Sequence, residues 1–68
     1  MTNVEMLQKK IDESGLSPTE MAASLGMSVP TYYSRKTGKS EFTASEIAKT
    51  VEILNLTKEE RDAIFFGE

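Results

Sequence analysis

A serine or threonine followed three residues later by a glutamate occurs four times, each time just ahead of apolar residues at helical spacing. The four pairs are Thr2–Glu5, Ser17–Glu20, Thr43–Glu46 and Thr57–Glu60. At a helix start this spacing lets the hydroxyl accept the third backbone N–H while the glutamate reaches back to the N–H of the capping residue. Apolar residues follow each pair at helical intervals: Val4, Leu7 and Ile11; Met21, Ala22 and Leu25; Ile47, Val51 and Leu54; then Ile64 and Phe65. No stretch alternates apolar and polar residues as a half-buried strand does. Local signals therefore agree on an all-α chain.

Punctuation between these segments sets the boundaries. The first helix runs from the Thr2 cap to about Ser14 and ends at Gly15, with Lys9, Lys10, Asp12 and Glu13 on a solvated face. The second starts at Ser17 with Pro18 in its first turn and stops at Gly26, which tolerates the left-handed conformation of a helix end. Leu16 and Met21 stand where a hydrophobic staple forms across the second cap. Ser28 then caps a third helix, which accommodates Pro30 because the first turn needs no intrahelical donor there. After the Gly38–Glu41 turn, Phe42 precedes the fourth helix, which Asn55 ends, and the last helix extends to about Phe65. The expectation is one domain over residues 1–68, a five-helix bundle whose second and third helices form a tight corner. Small Ala22 allows close approach of those two helices, and Gly26 permits the turn, the combination of a helix-turn-helix over about residues 17–38.

Charge is distributed unevenly around that corner. The chain carries a net charge of −3, which argues against indiscriminate nucleic-acid binding. Residues 28–40 nevertheless contain Arg35, Lys36 and Lys39 and no acid. One basic segment sits in an acidic body. There is no His and no Cys, hence no disulfide and no Cys- or His-based metal site. The acidic side chains fall on helix caps and solvated faces, which leaves no nucleophile–base pair, so neither an enzyme nor a cofactor or small-molecule substrate is expected. No apolar run reaches the roughly 18 residues of a membrane span, and a cytoplasmic protein is the expectation.

The stretch SPTEMAASLGMSVPTYYSRKTG resembles the DNA-binding unit of the phage lambda-repressor/Cro family. Ala22, Gly26 and Gly38 stand at that pattern's small positions, and Met21, Leu25, Met27 and Tyr32 at its apolar ones. The resemblance implies a lambda-repressor-like fold whose third helix enters the major groove of double-stranded operator DNA. At about 100° per residue, with Tyr32 at the centre of the buried face, Pro30, Ser34 and Thr37 fall opposite it and Tyr33 lies at the border. Carried over residue by residue, the base-reading positions are Ser28, Val29, Pro30, Tyr33 and Ser34. Phosphate contacts fall to Thr37, Lys39, Lys36 and the second helix's N-terminus at Pro18 and Thr19, where backbone N–H groups favour anions. Two readings of Arg35 stand: its head reaches a phosphate, or it reaches an acidic helix while its stem covers the core. Tyr33 either contacts DNA or packs on a neighbouring helix.

The chain departs from the family pattern where many members carry Gln at the position of Pro18, and Val29 and Pro30 make no bidentate base contacts. Readout then leans on thymine methyls, on Tyr33 and Ser34, and on DNA shape. The function implied is a small Cro-like transcriptional regulator, in a bacterial host cell, acting as a dimer by operator occupancy. The alternative is a helix-turn-helix protein that modulates a phage repressor by protein–protein binding. Leu56, Ile64, Phe65 and Phe66 are expected to form the surface for a second copy or for that repressor. The competing reading has Phe65 closing the core and Phe66 at a frayed end.

Overall fold

The computed structural model describes residues 1–67 and contains five helices: α1 (Val4–Ser14), α2 (Pro18–Leu25), α3 (Val29–Lys36), α4 (Ala44–Leu54) and α5 (Lys58–Phe65). Among the described residues there is no strand, and no helix is long and apolar enough to cross a membrane. Three of the four expected boxes close reciprocally, at Ser17, Thr43 and Thr57.

The first box does not form. Asn3, not Thr2, caps α1, with Asn3 Oδ1 accepting the Met6 N–H at 3.1 Å. Asn outranks Thr as an N-cap, and the fold adds a second reason. The Asn3 N–H, which no side chain in α1 reaches back to, donates to the Ile64 carbonyl at 2.6 Å. The entry to α1 is thereby pinned to α5. Val4 consequently lies outside the buried stripe, at 37% exposure, and faces the turn at Gly38.

The apolar core draws on four of the helices: Leu7 and Ile11 of α1, Met21, Ala22 and Leu25 of α2, Tyr32 of α3, and Ile64 and Phe65 of α5, with Phe42 and Leu56 from the connections. Phe42 and Phe65 meet edge to face at 5.3 Å, the arrangement that aromatic quadrupoles favour. Helix α4 contributes differently from its apolar pattern. Ile47, Val51 and Leu54 are half-buried, and the fully buried residue of α4 is Thr50. Its hydroxyl donates to the Glu46 carbonyl at 2.8 Å, which removes the cost of burying it.

The expected association surface is also revised. Leu56, Ile64 and Phe65 are core residues, because α1 and Phe42 cover the inner side of α5. Phe66 alone of the four remains outside, at 53% exposure. Helix α1 packs against α3, α4 and α5, and α2 against α3 and α4, so α3 is backed by α1 and α2.

Candidate nucleic-acid interface

Helix α2 ends at Gly26, whose φ of 71° is left-handed, and its N–H returns to the carbonyls of Ala22 and Ala23. Met27 N–H donates to the Ala22 carbonyl at 3.0 Å, completing the tight turn. Two residues later α3 begins under the Ser28 cap. Tyr32 anchors α3 with 1% exposure, and its buried hydroxyl has no hydrogen-bond partner among the described residues. Burial pushes that phenol above its ordinary pKa.

Pro30 and Thr37, opposite Tyr32, and Tyr33 at the border are exposed along one side of α3, while Ser34 is half-buried. Val29 is half-buried as well and packs against the core. Tyr33, at 43% exposure, rests tilted on Tyr32 with ring centroids 5.7 Å apart. The Lys36 ammonium lies 4.7 Å from the centre of the Tyr33 ring and 5.6 Å from that of Tyr32, within cation–π range. Lys39 is exposed in the turn beyond α3.

Most hydroxyls assigned to DNA are engaged within the protein. Ser28 Oγ accepts the Thr31 N–H at 3.3 Å and donates to Thr31 Oγ1 at 2.9 Å. Ser34 and Ser40 join hydroxyl to hydroxyl at 2.8 Å. Thr37 Oγ1 donates to the Tyr33 carbonyl at 2.7 Å.

In the free protein Arg35 reaches the acidic helix. Its Nε donates to Glu46 Oε1 at 2.9 Å and its Nη1 to Ser40 Oγ at 2.7 Å. The Arg35 hydrogen bond, aided by the Thr43 N–H, holds the Glu46 carboxyl below its ordinary pKa.

The N-terminus of α2 is less open to a phosphate than a helix end ordinarily is. Pro18 has no N–H, the Glu20 N–H goes to Ser17 Oγ at 3.1 Å, and the Ser17 N–H goes to Glu20 Oε1 at 2.8 Å. Thr19 supplies the remaining donor of that first turn. The Glu20 carboxyl, held below its ordinary pKa by the Ser17 backbone N–H, adds a like charge beside any phosphate.

A helix-turn-helix family model matches residues 7–61, from Leu7 in α1 to Arg61 in α5. The chain belongs to the lambda-repressor/Cro-like helix-turn-helix family. No curated protein and no solved structure matches it. Membership in this helix-turn-helix family places the chain among DNA-binding transcription regulators.

Two features of this helix-turn-helix protein lie beyond the sequence reading, which offers an acidic helix as one of two partners for Arg35 but singles out neither Ser40 nor Glu46 as that partner. Ser40 and Glu46 together hold Arg35, an arrangement carried by a loop conformation that no periodicity encodes. Ala44, Ile47, Ala48 and Val51 line an open apolar groove of about 520 Å³ on the outer side of α4, bordered by Glu52, Arg61 and Phe66. The i, i+3, i+4, i+7 spacing of the four α4 residues was a legible signal for a second apolar face.

Proposed function

We propose that this protein is a Cro-like regulator that places α3 in the major groove of operator DNA and acts by occupancy, blocking polymerase or a competing repressor. The observation that carries the reading is the exposed side of α3, Pro30–Tyr33–Thr37, held clear of the bundle by α1 and α2 within a family-matched helix-turn-helix. Lys39, and Lys36 at the flank, supply positive charge beside that side. No chemistry is involved.

The active species in this reading is a homodimer. Successive major grooves on one face of DNA are about 34 Å apart, beyond the 28 Å longest dimension of one copy. The α4 groove suits a second copy of the chain. Glu52 and Arg61 both border it, so a two-fold contact that brings one copy's Glu52 to the other's Arg61 pairs opposite charges, with Phe66 covering apolar surface between them.

The same groove favours a second reading, in which a phage repressor takes the place of the second copy and is hindered from binding its own operator. A mobility-shift titration on duplexes selected from a randomised pool, with this protein alone, separates the two. Saturable, sequence-selective binding is expected. Absence of binding, together with capture of a co-expressed repressor, would establish the modulator reading instead.

A further inference from the structure

The polar groups that α3 could offer to base edges are nearly all engaged inside the protein. The donor of Ser28 goes to Thr31, the donor of Thr37 goes to the Tyr33 carbonyl, and the Ser34 hydroxyl is tied to Ser40. Arg35, the residue type that reads guanine bidentately, is held by Glu46 and Ser40. The Lys36 ammonium lies over the Tyr33 ring. Neither Asn nor Gln occurs in α3, so the bidentate contact to adenine is absent too.

The exposed side of α3 is accordingly apolar at its N-terminal end, with Pro30 one helical turn from the ring and free hydroxyl of Tyr33 and the outer edge of Val29 beside them. Among the four bases, only thymine presents an apolar group in the major groove, its 5-methyl. Pro30 and the Tyr33 ring match that group in chemistry, and guanine and cytosine edges set against Pro30 would lose water without gaining a partner. We propose that the operator half-site is thymine-rich where α3 contacts it, and that Pro30 and Tyr33 read thymine methyl groups directly. This inference rests on the operator-binding reading above and names the class of DNA that site takes.

The test replaces single thymines by deoxyuridine, which keeps every hydrogen-bonding group and removes only the methyl. Duplexes are first selected from a randomised pool with the intact protein, and affinity is then measured for each singly substituted probe. At one or two thymines per half-site, deoxyuridine is expected to weaken binding about fourfold, the worth of one methyl-sized group withdrawn from water. Pro30→Gln and Tyr33→Ala, each checked for an unchanged helical spectrum, should each lose the deoxyuridine effect at its own thymine and keep it at the other.

Selected sites with G·C pairs at the contacted steps, or equal affinity for every deoxyuridine probe, would overturn the proposal while leaving operator binding intact. A deoxyuridine effect that persists unchanged in both variants would also overturn it, because the methyl then acts through DNA shape. Failure to bind any duplex removes the operator-binding reading, and this proposal with it.

Discussion

Arg35 and Glu46 are joined across the connection between α3 and α4, with Arg35 Nε donating to Glu46 Oε1 at 2.9 Å. The same carboxylate oxygen accepts the Thr43 N–H that begins α4, also at 2.9 Å. One oxygen therefore couples the orientation of the third helix to the cap of the fourth. Both side chains are about four-fifths buried, so solvent screens the pair less than it does a surface bridge.

This pairing makes Arg35 a structural residue in the free protein. Arg35→Ala and Glu46→Ala should each lower the melting temperature, and the double variant should lose less than the sum. A thermal double-mutant cycle is expected to return a coupling of about 1 kcal/mol. Additive losses would show that the two residues do not act as a pair.

Acid should weaken the same tie. The Glu46 carboxyl sits below its ordinary value of 4.5 in the folded chain, chiefly because of Arg35, so the unfolded chain binds that proton more tightly. Its stabilisation is complete above about pH 5 and is lost as pH falls through the lowered folded value. Glu46→Gln should therefore flatten the dependence of melting temperature on pH below about 5 and have a pH-independent cost above it. A parallel offset between the two curves at every pH would contradict this.

Lys39 and Arg35 should separate in the salt dependence of DNA binding. Lys39 is exposed and free to neutralise a phosphate, whereas the Arg35 guanidinium is already held by Glu46 and Ser40. Lys39→Ala should reduce the slope of log affinity against log salt by about one and weaken binding alike on all sequences. Arg35→Ala should leave the slope unchanged. The reverse result would mean that Arg35 leaves Glu46 to reach DNA.

The two adjacent tyrosines should differ in stability. Truncating buried Tyr32 to Ala is expected to cost about 3–5 kcal/mol, while Tyr33→Ala leaves the melting temperature close to that of the parent. Tyr32→Phe removes a buried hydroxyl that has no partner among the described residues, and should raise stability by about 1 kcal/mol, roughly 4–8 °C for a domain of this size. A loss of stability in Tyr32→Phe would reveal a hydrogen bond to an ordered water.

Association should depend on Phe66 and the α4 groove. Phe66→Asp places a charge on the apolar border of the groove and should shift a concentration-dependent dimer to monomer in analytical ultracentrifugation. The melting temperature at low protein concentration should barely change, because Phe66 is exposed. A parent protein that stays monomeric at high concentration removes the dimer.

How far the sequence reaches is visible in particular residues. The starts and ends of α2, α4 and α5 were legible because capping boxes, Gly26 and Asn55 act over three or four residues, and such local hydrogen bonding needs no knowledge of the fold. Tyr32 as the buried centre of α3 followed from helical periodicity, as did exposed Pro30 and Thr37. At α1 the local pattern misled, since the Ile64 carbonyl supplies the acceptor for the Asn3 N–H and so favours Asn3 over Thr2 as the cap.

Tertiary structure alone decided what Arg35 and Ser34 bond to and that Thr50 is buried, because a loop and neighbouring helices set those surroundings. It also decided which of two apolar surfaces stays open. Periodicity shows that α4 and α5 each carry apolar residues, but not which helix faces another. Packing of α1 and Phe42 over α5 took Leu56, Ile64 and Phe65 into the core, and left Ala44, Ile47, Ala48 and Val51 with Phe66 at the surface. Local hydrogen bonds determine where helices begin and end, whereas the choice of buried face is settled only when the whole chain competes for one small core.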